Sequence, residues 1–216
     1  MNGNHFRNTI DFGINLGNKK SSVAVATKDG TEVFQTDLGT NYVPSAVWIN
    51  KKGTIIVGER AKNRLNIDKD NVQSEFQTFM GKDKTYIFKD CGKELKPEEL
   101  SAEVLKTLRQ IVKQRINEKM VNAVITVPAV FKVTQTSATY KAAELAGFNI
   151  IRLIKEPVAA VFAYITQDES ENALWMVYDF GGKTFDVSIV KISDDSLTVI
   201  ANSGDTHLGG ENITHD

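Results

Sequence analysis

The stretch Met176-Val177-Tyr178-Asp179-Phe180-Gly181-Gly182-Lys183-Thr184-Phe185-Asp186-Val187-Ser188-Ile189-Val190 decides how the chain is read, because two β-forming runs flank a turn holding one carboxylate and two glycines. Residues 174–178 are an almost unbroken apolar run, the pattern of a strand buried on both faces. On the return, Phe185, Val187 and Ile189 alternate with Asp186 and Ser188. Gly181 and Gly182 can take positive φ and leave main-chain N–H groups uncovered, so a phosphate can approach the backbone while Asp179 faces a metal or a water. Taken alone, the stretch fits two readings: a common tight hairpin, and a turn built for nucleotide phosphates.

A second copy favours the latter. Asn15-Leu16-Gly17-Asn18-Lys19-Lys20-Ser21-Ser22-Val23-Ala24-Val25 repeats the pattern at a constant offset, with Asn15 in the place of Asp179, Gly17 of Gly181, Val23 of Val187 and Val25 of Ile189. Asp11-Phe12-Gly13 offers a rival register but breaks the spacing to the following strand. Two such units far apart in one chain predict a duplicated α/β fold in which paired turns grip a ligand from both sides.

The 216 residues carry 26 basic and 27 acidic side chains, a net charge of −1, mixed along the chain. That balance gives no electrostatic footprint for nucleic acid or an anionic membrane, so neither is expected as a partner. At 41% hydrophobic and 25% charged, the composition is that of a soluble globular protein with a sizeable core. The single cysteine, Cys91, excludes an internal disulfide and reads as a half-buried or loop thiol compatible with a reducing, cytoplasmic setting. Residues 1–8 are polar and read as a loose tail rather than a signal peptide, and no later apolar run approaches the about 20 residues needed to span a bilayer. His5, His207 and His215 lack metal-ligand spacing, and Asn212-Ile213-Thr214 is a glycosylation sequon by pattern only.

Along the chain, residues 9–16, 22–27, 32–35, 46–49 and 54–57 read as strands of a β-meander, 58–66 as a short helix, 67–72 as a loop, and 76–81 as a helical turn stopped by Gly81. Pro97-Glu98-Glu99 opens a helix whose stripe is Val104, Leu105, Leu108, Ile111, Val112 and Ile116. Residues 123–127 read as a buried strand ended by Pro128. A helix over 135–146 closed by Gly147, a buried strand over 150–154 and a helix from Pro157 through Tyr164 follow. The alternation predicts right-handed crossovers and a largely parallel sheet, with ligand beyond the carboxyl ends of its strands, where Glu156 and Asp179 stand.

Four segments, in order, carry a resemblance: Asn122-Ala123-Val124-Ile125-Thr126-Val127-Pro128-Ala129, Ile154-Lys155-Glu156-Pro157-Val158-Ala159-Ala160, the stretch from Asp179 to Ser188, and Gly204-Asp205-Thr206-His207-Leu208-Gly209-Gly210-Glu211. From about residue 9 to its last residue the chain resembles the front part of the nucleotide-binding domain of the seventy-kilodalton heat-shock (DnaK-type) chaperones, which have the actin-like ATPase (ribonuclease H-like) fold. The resemblance implies a mixed sheet flanked by helices, with the first lobe over 9–170, the start of a second over 171–216, and a truncated domain without its adenosine-binding segment. It implies ATP or ADP with Mg2+ between the lobes. Glu156 and Asp179 fall on carboxylates that organise the metal and its waters, and Gly181, Gly182 and Thr184 on the second phosphate turn. Co-chaperones and unfolded polypeptide are implied as partners of the parts outside this chain.

The departures are specific. Where the family carries an aspartate and two threonines in its first phosphate turn, which includes Gly17, this chain has Asn15, Asn18 and Lys19. Asn15 can reach a metal only through water and without charge. Lys183 replaces the last glycine of the second turn, and Gln77 stands where the family's lysine positions the attacking water. Val130 and Thr136 replace a tyrosine and an arginine near the hinge. The expected function is thus an ATP-binding, chaperone-type fragment with weakened hydrolysis. The alternative is a catalytically silent actin-like module that binds a protein partner.

Overall fold

Phe12, Ile14 and Leu16 alternate with Gly13 and Asn15, and this period of two builds the first strand, β1 (Phe12–Leu16), whose three large apolar side chains are all buried. The computed structural model describes residues 11–164, 173–182, 184–193, 196–205 and 208–213. The expectations for the tail, the start of the first strand, Lys183 and the three histidines lie outside them. β2 (Lys20–Thr27) and β3 (Gly30–Val33) follow as antiparallel neighbours, the second turn using Gly30 at φ 127°. Then come β4 (Val43–Pro44), β5 (Ala46–Ile49), β6 (Ile55–Val57) and α1 (Glu59–Lys62), a helix shorter than the 58–66 expected and continued by turns.

The loop expected over 67–72 ends in a strand, β7 (Val72–Ser74), because Val72 is buried where it pairs with Trp48 of β5. A 3-10 turn (Phe76–Phe79) stops as expected at Gly81, whose φ of 69° and crowding against the Thr134 backbone both require glycine. The hairpin of β8 (Tyr86–Phe88) and β9 (Lys93–Leu95) was not legible in the sequence.

α2 (Pro97–Ile116) has the anticipated start: Pro97 in its first turn, and Lys96 N–H donating to Glu99 Oε2 at 2.7 Å. It buries Leu100, Val104, Leu105, Leu108 and Val112, while Ile111 and Ile116 are half-buried. β10 (Asn122–Val127), α3 (Val133–Leu145), β11 (Ile150–Lys155) and α4 (Glu156–Tyr164) complete this stretch, and Gly147 at φ 83° closes α3. β12 (Leu174–Phe180), β13 (Phe185–Ser193), β14 (Ser196–Asp205) and α5 (Gly210–Ile213) follow.

One sheet has the order β11-β10-β1-β2-β3 with β4 also on β2, and another the order β12-β13-β14. The expectation of a largely parallel sheet is corrected. β1 runs parallel to β10, but β1/β2, β2/β3 and all of β12-β13-β14 are antiparallel, since four-residue and shorter turns can join only antiparallel neighbours. Residues 150–154 are not a fully buried strand either: β11 is an edge strand with Ile151 buried and Ile150 40% exposed. The chain divides into two compact units, Met1–Ile125 with Val133–Leu153, and Thr126–Lys132 with Ile154–Asp216. Among the described residues no helix is long and apolar enough to cross a membrane.

Candidate functional site

In the first unit β1 and β2 pair through Leu16↔Ser21 and Asn15↔Ser22, closing a four-residue loop over 17–20. Gly13 sits mid-strand opposite Ala24, which excludes Asp11-Phe12-Gly13 as the turn. Gly17 is required by space rather than by positive φ: a Cβ there would lie 2.3 Å from Lys20 O. Ser45 fastens the loop, its N–H donating to Lys19 O at 2.9 Å and its hydroxyl to Gly17 O at 2.7 Å, with Ser21 Oγ 2.9 Å away. Ser21 and Ser45 are both buried, so these bonds run without competing water.

The side chains of this turn meet the segment around the 3-10 turn. Asn18 Nδ2 donates to Thr78 Oγ1 at 2.9 Å, the Lys19 ammonium forms an ion pair with Glu75, and Gln77 Nε2 donates to Leu16 O. Gln77 is only 6% exposed. Three of the expected site residues, Asn18, Lys19 and Gln77, are thus brought together, each with a partner in its own unit. Asn15 sits on the exposed side of β1. Asn18 Oδ1 is buried without a hydrogen-bond partner among the described residues.

The second unit builds the same turn. β12 and β13 pair through Phe180↔Phe185 and Asp179↔Asp186, again leaving four residues, 181–184. Gly181 N–H donates to Thr184 O at 2.8 Å, and a Cβ at Gly181 would lie 2.9 Å from Thr184 Oγ1, so a side chain here would displace the threonine hydroxyl. Gly210 N–H donates to Gly181 O at 2.9 Å, and Gly209 N–H to Asn212 Oδ1 at 2.9 Å, which folds the Gly209-Gly210 segment onto the turn.

Around this turn stand three carboxylates. Asp179 and Asp186 are direct cross-strand partners and share a face of the sheet, and Glu156 opens α4, which packs on that sheet. The Glu156 carboxyl is pushed up to about 8, first by burial and then by the charges of Asp179 and Asp186. Burial also raises Asp179, whose carboxyl is partly withdrawn from water although the residue as a whole is exposed. Burial and then Asp179 raise Asp186. Asp186 was missed from the sequence, although a four-residue hairpin loop always sets residues i and i+7 opposite one another.

Like charges drawn together in this way are short of a cation, and hard carboxylate oxygens suit Mg2+. Among the described residues no three His, Cys, Asp or Glu side chains converge closely enough to hold an ion.

The family model described as "Hsp70 protein" matches residues 11–90 and 82–216. The chain belongs to the Hsp70 family. Its fold is therefore the actin-like ATPase fold, with the mixed sheets described above. The chain is similar to the chaperone protein DnaK of Thermosipho melanesiensis, 40% identical over 202 residues that cover 93% of this chain and 34% of that protein. It is 37% identical over 206 residues to the chaperone protein DnaK of Metamycoplasma hominis and 38% over 206 residues to that of Mycoplasmopsis pulmonis, each covering 95% of this chain and 34% of the relative. The chain spans about a third of the length of these Hsp70 relatives.

Proposed function

We propose that this chain binds ATP or ADP with Mg2+ through its second turn and hydrolyses ATP slowly or not at all. The observation that carries the reading is the second hairpin, in which Gly181 packs against Thr184, Thr184 supplies a hydroxyl, and Asp179 and Asp186 stand opposite each other. The Gly182 main-chain N–H and the Thr184 hydroxyl receive phosphate oxygens, the Gly181 N–H being held by Thr184 O. Asp179 and Glu156 would hold the waters of Mg2+, which would supply charge neutralisation to the phosphoryl group.

Hydrolysis lacks two electrostatic contributions. Asn15 has no charge with which to hold a metal-bound water, and Gln77, spent on Leu16 O, supplies no cation to the transition state. A second reading is favoured by the engagement of Asn18, Lys19 and Gln77 within their own unit: an actin-like module that keeps the fold to contact a protein partner.

The test is a titration with labelled ATP and Mg2+, followed by a hydrolysis assay, on the parent chain and Asp179→Asn. Binding near the millimolar level that is lost in Asp179→Asn supports the first reading; no binding by the parent supports the second.

A further inference from the structure

We infer that Glu75 is an internal counter-anion for the first phosphate turn, and that it sets how strongly this turn accepts a polyphosphate. The inference rests on the reading of residues 15–20 as a phosphate turn and adds a residue that controls it. A lysine on such a turn would be expected to attract phosphate by charge. In this chain the Lys19 ammonium is already taken by the Glu75 carboxylate, with the two side chains only 29% and 30% exposed.

Three features show that the pair is built into the fold. First, the segment carrying Glu75 is cross-linked to the turn at two further points, Gln77 Nε2 to Leu16 O and Asn18 Nδ2 to Thr78 Oγ1, so its register against the turn is fixed. Second, Glu75 has φ 58° and ψ 17°, a left-handed conformation that glutamate rarely adopts and that asparagine or glycine would take more readily. Third, Glu75 lies beside buried Tyr86, whose hydroxyl is pushed up to about 12 by burial first and then by the Glu75 charge, so a second element also faces this carboxylate.

The charge consequence is direct. Asn15 and Asn18 are neutral and Lys19 is matched by Glu75, so an incoming triphosphate meets a carboxylate competing for the same ammonium. Removing that carboxylate removes the competitor.

The experiment measures binding of inorganic tripolyphosphate, without Mg2+ and at low salt, by calorimetry on the parent, Glu75→Asn, Glu75→Gln and the double variant Glu75→Asn/Lys19→Met. Asparagine suits the left-handed backbone, and the near-ultraviolet dichroism of the aromatic side chains reports that each variant is folded. The expected result is binding tightened about three- to tenfold in both single variants, a gain that shrinks with added salt and disappears in the double variant. Unchanged or weaker binding in the folded single variants, no detectable binding in any of them, or a gain that survives Lys19→Met would overturn the inference. The proposed nucleotide function stands or falls separately, on the Mg2+-dependent binding lost in Asp179→Asn.

Discussion

The carboxylates around the second turn have a cost that pH exposes. Glu156 titrates near 8 in the folded chain against an ordinary 4.5, so between these values the folded state holds a proton that the unfolded chain has lost. Stability from this group is fully present below about 4.5 and is lost as pH rises through about 8, with Asp179 and Asp186 adding shifts of the same sign. Urea denaturation at pH 5 and pH 8.5 should therefore show the parent more stable at the lower pH, and Glu156→Gln should shrink the difference. Equal slopes for parent and variant would place the coupling elsewhere. The first turn yields a second prediction at this scale. Asn15→Asp with Gln77→Lys should raise ATP turnover above that of the parent in the same background, since one lost group of this kind commonly costs ~10²- to 10³-fold in rate. Gln77 is buried against Leu16 O, so the new lysine must keep that bond or move the segment. No gain despite demonstrated ATP binding would clear these two residues of blame.

At the scale of elements, the second sheet corrects the expectation of a strand buried on both faces over 174–178. Trp175 and Val177 face inward with Val190, but Leu174, Met176 and Tyr178 are 65%, 68% and 65% exposed. Tyr178, Phe180 and Phe185 pack on one another along this open face, with ring centroids 4.8–6.5 Å apart. Ile200 of the neighbouring strand is 53% exposed, while Leu197 and Val199 are half-buried. An apolar face of this kind drives association. The parent chain should therefore sediment as a concentration-dependent mixture, and Leu174→Thr with Met176→Thr should shift it toward monomer; a monodisperse parent with a sharp, high thermal transition would contradict this. The apolar run could not reveal the open face, because burial on the second side depends on what lies against it rather than on the strand's own residues. By contrast, α2 was legible to within its caps, since Pro97, Glu99 and a stripe at helical spacing act locally. The β8–β9 hairpin, whose strands are three residues each, carried too short a period to read.

For the whole molecule, the repeat was the most informative signal, because a constant offset in sequence became an identical register in two hairpins, Leu16↔Ser21 and Phe180↔Phe185. The repeat placed Asp179, Gly181 and Thr184 on one hairpin turn, as β12 and β13 do. The partners of Asn18, Lys19 and Gln77 did not follow from it, since residues some 60 positions apart that meet through side chains leave no periodic trace. The central claim is that phosphate is received at the second turn with modest strength. Its most direct test is chemical-shift mapping of backbone amides during a Mg2+–ATP titration. Gly182 and Thr184 should shift most, along one isotherm near the millimolar level, roughly −4 kcal/mol. Shifts confined to residues 17–20, or a submicromolar isotherm, would contradict it.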